Sequence, residues 1–156
     1  IMPDRVNFLP SLEEIIPYRV SRLANALASQ AAVLLATETH ITVGQWRVLV
    51  FIGAEWANTS RDIVAVSQYD PGFVSRMLKL LEKDGLVESR RDQDDRRVHR
   101  IVITEKGEDL FKRIEPLMGK RFRYLNGVLS EEEMAQFFDM LSRLEKAANS
   151  RHFDQM

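Results

Sequence analysis

The sequence predicts a mainly α-helical fold with one small β-hairpin. Apolar residues recur at intervals of three and four along most of the 156 residues, and this spacing is typical of amphipathic helices. After Gly85 the spacing changes, and residues 86–90 and 97–103 have the composition of two strands around a polar loop, residues 91–96. The predicted order is therefore three or four helices, a hairpin and two more helices.

The first helix is predicted from Leu12 to about Thr37. Its apolar residues keep helical spacing, and it is rich in alanine. Pro17 lies early in this segment and predicts a restart or a bend.

Capping residues mark the next two helices. Thr42 and Gln45 match a capping box, which opens a second helix that ends near Ala57. Ser60 is the expected N-cap of a short third helix.

The fourth helix has the clearest boundaries. Asp70 and Pro71 are a favoured N-cap and first helical residue, and Gly85 is a favoured end. The residues expected to be buried follow helical spacing and are Phe73, Met77, Leu80 and Leu81.

Two long helices follow the hairpin. Thr104 is expected to cap the first, in which Pro116 predicts a bend. Ser130 and Glu133 form a second capping box and open a last amphipathic helix, which runs to about Ser150.

A short helix, a tight turn, a second helix with a polar face and a hairpin together form the winged helix-turn-helix arrangement. We expect one domain over residues 1–156, with this lobe at residues 42–104. The helices at residues 11–38 and 105–150 carry more apolar surface than so small a lobe can cover. They are therefore expected to act as dimerisation helices.

Composition excludes several classes of protein. The chain has no cysteine, which excludes disulfides, thiolate metal sites and cysteine-based oxidation sensing. His40, His99 and His152 are too scattered to predict a metal site, and no cofactor is expected. No apolar run is long enough to span a bilayer, and the first ten residues lack the pattern of a secretory signal. A cytoplasmic protein without a membrane partner is expected.

The net charge is -1, from 22 basic and 23 acidic residues. Even residues 61–100 are nearly neutral, with nine basic and eight acidic side chains. Binding to DNA therefore depends on a local concentration of cations, and two segments provide one.

The first segment is the fourth helix, whose predicted exposed face is short, polar and basic. Arginine can bond guanine with two hydrogen bonds, while serine and lysine reach phosphates. An ordinary solvated helix face explains the same pattern equally well. The residues of this face are Gly72, Ser75, Arg76, Lys79 and Lys83.

The second segment is the hairpin, which has five arginines and three aspartates between Arg90 and Arg100. An arginine at a hairpin tip suits the narrow, electronegative minor groove of DNA. An adjacent aspartate can hold that arginine in position by a charge-assisted pair. Weak surface pairing of Asp and Arg is the alternative.

Three motifs resemble the MarR family of bacterial transcriptional regulators. They are residues 73–87 (FVSRMLKLLEKDGLV), the D-x-R of the hairpin at residues 95–97, and residues 103–107 (ITEKG), in which Ile103 takes the place of leucine in L-T-x-x-G. Residues 45–49 (QWRVL) are also similar to the family. The resemblance covers residues 17–148.

The resemblance implies a homodimer that binds a pseudo-palindromic operator in double-stranded DNA, with half-sites about 10 bp apart. It implies that Ser75 and Arg76 contact DNA from the fourth helix, that Arg97 enters the minor groove and that Asp95 orients it. Arg96 adds a cation beside this motif. The complete expected DNA-binding set is Ser60, Arg61, Gly72, Ser75, Arg76, Lys79, Arg90, Asp95, Arg96 and Arg97.

The resemblance also implies a repressor that is released by a small anionic or aromatic effector, bound between the dimerisation helices and the DNA-binding lobe. Cationic and aromatic residues together suit an aromatic carboxylate. The alternative is that the aromatic residues belong to the core and that the arginines are solvated or paired. The candidate lining residues are Tyr18, Arg19, Arg22, His40, Trp46, Arg47 and Phe51.

Three other functions remain as alternatives. The chain could be a winged-helix module that binds protein, or a DNA-binding regulator without a ligand, but the arginine-rich hairpin argues against the first. An enzyme is not expected, because the paired carboxylates at residues 131–133 lie in the first turn of a helix, where acids are stabilising. The chain also lacks nucleophile and phosphate-binding motifs.

Overall fold

A computed structural model describes residues 11–95 and 97–150. Arg96, His152 and the first ten residues, on which sequence predictions fall, lie outside these ranges. The described chain forms two compact units, which meet in sequence between Glu115 and Pro116 and are considered separately. The elements confirm a mainly α fold with one hairpin: α1 (Ile16–Glu38), α2 (Val43–Gly53), α3 (Ser60–Ser67), α4 (Pro71–Lys83), β1 (Val87–Arg91), β2 (His99–Ile103), α5 (Glu105–Asn126) and α6 (Glu131–Ala148).

Helix α1 begins at Ile16, and the prediction of a start at Leu12 is wrong. Pro17 occupies the first turn of the helix, where the missing proline N–H would have no partner in any case. Proline therefore opens the helix and interrupts nothing.

The capping box predicted for α2 is confirmed. Thr42 Oγ1 accepts a hydrogen bond from the Gln45 N–H at 3.2 Å, and Gln45 Oε1 accepts one from the Thr42 N–H at 3.0 Å. Helix α2 ends at Gly53, earlier than the predicted Ala57, and Glu55 has φ 58° in the connection. A positive φ cannot continue a right-handed helix.

The N-cap of α3 is Thr59, one residue before the predicted Ser60. Thr59 Oγ1 accepts a hydrogen bond from the Asp62 N–H at 3.0 Å. Both residues are good caps, and only the extended backbone of Thr59 (φ -126°, ψ 154°) identifies it as the cap.

Helix α4 begins at Pro71 as predicted, and its N-cap Asp70 accepts a hydrogen bond from the Phe73 N–H at 2.8 Å. Gly85, with φ 70°, follows the helix end. The predicted buried stripe is wrong in part, because Leu80 is 39% exposed and only Leu81 of the four is fully buried. Helix α4 packs on both α2 and α3, and this arrangement centres the buried stripe on Val74, Leu78 and Leu81.

Strands β1 and β2 are antiparallel, with Val87 opposite Ile103 and Arg91 opposite His99. Each strand begins one or two residues later than predicted. The loop between them is closed by the Asp92 N–H, which donates to the Val98 carbonyl at 2.9 Å.

Helix α5 has its predicted cap, since Thr104 Oγ1 accepts a hydrogen bond from the Gly107 N–H at 3.1 Å. Gly107 is buried, and a Cβ at this position would collide with the Leu86 carbonyl oxygen. The absence of a side chain therefore lets the start of α5 pack against the chain entering β1. Pro116 lies within α5.

The capping box of α6 is also confirmed, with the Ser130 N–H donating to Glu133 Oε2 at 2.8 Å and the Glu133 N–H donating to Ser130 Oγ at 3.2 Å. Hydrogen bonding of the Glu133 carboxylate, first to the Ser130 backbone N–H and then to the Ser130 side chain, holds the pKa of Glu133 below its ordinary value. No residue of α6 is buried. No helix in residues 11–95 and 97–150 is both long enough and apolar enough to cross a membrane.

Candidate nucleic-acid interface

Helices α3 and α4 are joined by a tight turn at residues 68–70. Gln68 ends α3 in the left-handed conformation, with φ 58°, and its Nε2 donates to the Ala65 carbonyl at 2.8 Å. The Tyr69 N–H donates to Ser67 Oγ at 3.1 Å. These local hydrogen bonds fix the turn that separates the two helices.

One face of α4 is exposed and basic, as the sequence predicts. No carboxylate in the described chain forms an ion pair with Arg76, Lys79 or Lys83. The cations of this face are thus available to an external anion. The face consists of Gly72, Ser75, Arg76, Lys79 and Lys83, all exposed.

Gly72 makes room for the Arg76 side chain. A Cβ at Gly72 would lie 3.3 Å from Arg76 Nη1 and 3.0 Å from Asp70 Oδ1. The Arg76 guanidinium therefore lies over the first turn of α4, close to the carboxylate that caps it.

The N-terminus of α3 holds the other two helix residues expected at DNA. Ser60 is the first residue of α3 and is half-buried, and Arg61 follows it and is exposed. Both lie directly after Asn58 and Thr59, at the point where the hairpin is attached to the lobe.

In the hairpin, Arg97 is exposed at the tip and Arg90 is exposed on β1. Arg90 Nε donates to Glu88 Oε1 at 2.6 Å. Asp95 Oδ1 accepts from the Arg97 backbone N–H at 3.0 Å, so Asp95 holds the main chain of Arg97. Within the described residues, no carboxylate forms an ion pair with the Arg97 guanidinium.

The first residue of the hairpin loop is Asp92, for which the sequence predicted no separate role. Its carboxylate accepts from the backbone N–H groups of Asp94 at 2.9 Å and Asp95 at 3.0 Å, and from Arg100 Nε. The Asp95 N–H, followed by Arg100, lowers the pKa of Asp92 from 3.8 to about 2. An aspartate at the start of a polar loop often accepts a hydrogen bond from the backbone N–H two residues later, in an Asx turn. The position of Asp92 at the start of the loop could therefore have predicted this role.

The hairpin is attached to the segment before α3 at Asn58. Arg100 Nη1 donates to Asn58 Oδ1 at 3.1 Å, and the Ile101 N–H donates to the Asn58 carbonyl at 2.7 Å. Asn58 could not be singled out from the sequence, because this contact joins residues 42 positions apart.

The residues expected to line a ligand pocket do not gather around one cavity. Arg19 and Arg22 pair with Glu13 at 3.4 Å and 2.8 Å, and Tyr18 is exposed on the same helix. Arg47 is exposed on α2.

The two aromatic candidates on α2 belong to the packing of the lobe. Trp46 is buried and stacks on Phe111, with ring centroids 5.5 Å apart. Phe51 contacts Trp56 and Tyr69 edge to face, at 5.9 Å and 6.2 Å. Trp46 and Phe51 therefore pack against other aromatic rings of the lobe, as expected if they belong to the core and do not line a ligand pocket.

A cleft of about 650 Å³ lies in the first unit, between the end of α1, the end of α4 and the start of α5. Of the seven candidate residues only His40 lines it, together with the cations Lys106 and Arg113, which the sequence reasoning missed. Lys106 Nζ donates to the Asp84 carbonyl at 2.6 Å. Gln45 Nε2 donates to Asp84 Oδ2 at 2.8 Å, so the end of α4 is tied to both α5 and α2.

The fold and this interface define a winged helix-turn-helix regulator, and comparison with known proteins gives its family. A model of the MarR family matches residues 41–98. The HTH-type transcriptional regulator BilQ of Clostridium symbiosum is 30% identical over 106 residues, which cover 68% of this chain and 74% of BilQ. The chain belongs to the MarR family of transcriptional regulators.

Two solved structures share the fold. The MepR–DNA complex of S. aureus has a TM-score of 0.78 at 24% identity, over 86% of this chain and 99% of MepR. CouR from Rhodococcus jostii RHA1, bound to p-coumaroyl-CoA, has a TM-score of 0.73 at 23% identity, over 87% of this chain and 95% of CouR.

Proposed function

We propose that this MarR-family regulator is a homodimeric repressor that binds a pseudo-palindromic operator and is released from it by a small ligand. The observation that carries the proposal is the pair of exposed cationic elements on one lobe, the face of α4 and the tip of the hairpin. The solved complex of MepR with DNA supports it.

In this proposal α4 enters the major groove. Arg76 and Ser75 contact base edges or phosphates, and Lys79 contacts a phosphate. Arg97 enters the minor groove beside it, where the potential of DNA is most negative. In the same proposal Ser60, Arg61, Gly72 and Arg90 also contact the DNA.

Exposed apolar side chains on the terminal helices support a homodimer. On α1, Ile16, Val20 and Leu23 are 53%, 48% and 50% exposed, and in the second unit Phe122 and Phe138 are 63% and 54% exposed. Large apolar groups at this density are costly in water and are typical of an interface. Two lobes related by a twofold axis read a pseudo-palindrome.

The cleft beside His40 is the proposed effector site. Two cations, Lys106 and Arg113, and two acids, Glu38 and Asp84, line it. The Asp84 carboxylate already accepts a hydrogen bond from Gln45. The cations suit a carboxylate, and Leu86 and Leu110 provide apolar surface for an aromatic group. The CouR complex with p-coumaroyl-CoA shows a structural relative bound to an aromatic acid thioester.

The DNA-binding proposal is tested with Arg97→Ala. We expect a loss of affinity for the operator of about tenfold or more, within the range of about 1–3 kcal/mol for a specific arginine contact, measured by fluorescence anisotropy at moderate salt. The control is Arg91→Ala, which removes the same charge from the same hairpin and should cost less. Equal losses for operator and unrelated DNA in both variants would contradict a specific role for Arg97.

The ligand proposal is tested by thermal shift with p-coumarate, p-coumaroyl-CoA and salicylate as probes. A probe present at about 100 times its Kd should stabilise the fold by about 2.7 kcal/mol, and the same probe should release the operator. Lys106→Gln should weaken both effects more than Lys112→Gln, because Lys112 lies outside the cleft beside Glu108. If no probe changes stability or operator binding, the chain is a regulator without a ligand of this class.

A further inference from the structure

The hairpin loop is organised from within by a single carboxylate. Asp92 is only 10% exposed at its side chain, although the surrounding residues 93–95 are exposed. It accepts three hydrogen bonds, two from the loop backbone and one from Arg100. The carboxylate therefore fixes the backbone of Asp94 and Asp95 relative to strand β2.

The next hydrogen bonds extend this order to the tip. The Asp95 carbonyl accepts from the Val98 N–H at 2.9 Å, and the Asp95 side chain accepts from the Arg97 N–H at 3.0 Å. The backbone position of Arg97 thus depends on Asp95, and the position of Asp95 depends on Asp92.

Arg100 joins this loop to the helix-turn-helix. Its guanidinium contacts Asp92 through Nε and Asn58 through Nη1. The Asn58 carbonyl also accepts from the Ile101 N–H, so the two partners of Asn58 are neighbours on β2. Thr59 caps α3, and Asn58 is the residue directly before it. Asn58 therefore connects the hairpin to the start of α3, the first helix of the helix-turn-helix.

We propose that Asp92, Arg100 and Asn58 form a clasp that positions the Arg97 tip relative to α3 and α4 for DNA binding. The inference rests on the proposed function, because it assigns a role in placing Arg97 in the minor groove. The three are positioning residues, and Arg97 is the group that contacts DNA. A clasp made before DNA binding lowers the entropy lost when the hairpin enters the groove.

The alternative role for Arg100 is direct contact with a phosphate. The substitution Arg100→Lys distinguishes the two roles. Lysine provides the same charge to a phosphate but lacks the planar set of donors that contacts Asp92 and Asn58 together.

The test compares Asp92→Asn with Asp94→Asn. Both variants remove one negative charge from the same loop, so both change the general attraction to DNA equally. The Asp94 side chain makes no hydrogen bond or ion pair within the described chain, and its charge acts on Arg100 only through space. Its variant should bind the operator at least as well as the wild type. We expect Asp92→Asn to bind the operator about tenfold more weakly than Asp94→Asn, within the range for coupled residues of one network, with equal affinity of the two for unrelated DNA.

A second comparison shows whether the effect passes through Arg97. In an Arg97→Ala background the difference between Asp92→Asn and Asp94→Asn should disappear. Arg100→Lys should behave like Asp92→Asn, and hydrogen exchange at the amides of Asp94 and Asp95 should be faster in Asp92→Asn than in the wild type.

Three results would overturn the clasp: equal operator affinities for the Asp92 and Asp94 variants, a difference that persists without Arg97, or wild-type affinity in Arg100→Lys. If the wild-type chain binds no DNA while hydrogen exchange still shows the Asp92 dependence, the proposed function fails and the positioning role fails with it. If instead the wild type binds the operator and the Asp92 and Asp94 variants bind it equally well, only the clasp is overturned and the proposed function stands.

Discussion

At the scale of single residues, two glycines allow close packing because they have no side chain. Gly107 is buried against the Leu86 carbonyl, and Gly53 lies against the Phe111 ring, where a Cβ would come within 2.7 Å of a ring carbon. The sequence places both glycines in helical segments, where glycine is unfavourable. A close approach of another element is the physical reason for their presence.

Gly107→Ala tests this reason. The added methyl group meets backbone, which cannot rotate away, so we expect destabilisation of about 1–3 kcal/mol, the usual cost of overpacking. The measurement is the free energy of unfolding in denaturant.

The matched control is Gly119→Ala, also in α5. Its Cβ would lie 3.5 Å from the nearest atom, Arg123 Nη1, which is an ordinary contact. This variant should be stabilised by about 0.5–1 kcal/mol through helix propensity. Equal effects of the two substitutions would mean that α5 can move away from Leu86.

Residue-level prediction from sequence succeeded for local contacts and failed for distant ones. The capping boxes at Thr42 and Ser130 were predictable because both partners lie within four residues. Asn58, Lys106 and Arg113 were not, because their roles depend on segments brought together by the fold. The exposed basic residues of α4 were predictable in position, while their action at DNA stays a prediction.

At the scale of elements, helical spacing predicted where α4 lies but not how it is rotated. The apolar residues of α4 allow two overlapping stripes, one through Phe73 and Met77 and one through Val74 and Leu78. Periodicity cannot choose between them, since both keep intervals of four. Contacts with α2 and α3 select the second stripe, and Phe73 and Met77 become its half-buried edge against Gly44.

The hairpin shows the same division between local and distant information. Its existence and its arginine content follow from the sequence, whereas its ends depend on hydrogen bonds inside the loop and on Asn58. The position of the hairpin, which carries Arg97, therefore depends in part on Asn58, two residues before the start of α3.

At the scale of the whole molecule, the proposed dimer predicts that stability depends on protein concentration. A folded chain that forms a dimer is stabilised by mass action, so its unfolding midpoint should rise with protein concentration. We expect the midpoint to change by a few degrees over a tenfold range of concentration, measured by thermal unfolding together with sedimentation.

Phe138→Glu on α6 should weaken the dimer and remove this dependence, because it places a charge in an exposed apolar region. The control is Gln136→Glu, which adds the same charge at an exposed position of α6. It also replaces the Gln136–Glu132 hydrogen bond with repulsion between like charges, so it should lower the midpoint but keep its dependence on concentration. A midpoint that is independent of concentration in the wild type would contradict dimerisation through these helices.

Helix α4 also connects the proposed effector site with the proposed DNA-binding surface. Asp84, whose carbonyl accepts a hydrogen bond from Lys106, lines the cleft, while the Arg76 guanidinium lies over the first turn at the other end of the same helix. In the proposed function, an effector in the cleft and DNA in the groove would therefore contact opposite ends of helix α4. Thermodynamic reciprocity then requires that the operator weakens the binding of the compound by the same factor by which the compound weakens the binding of the operator.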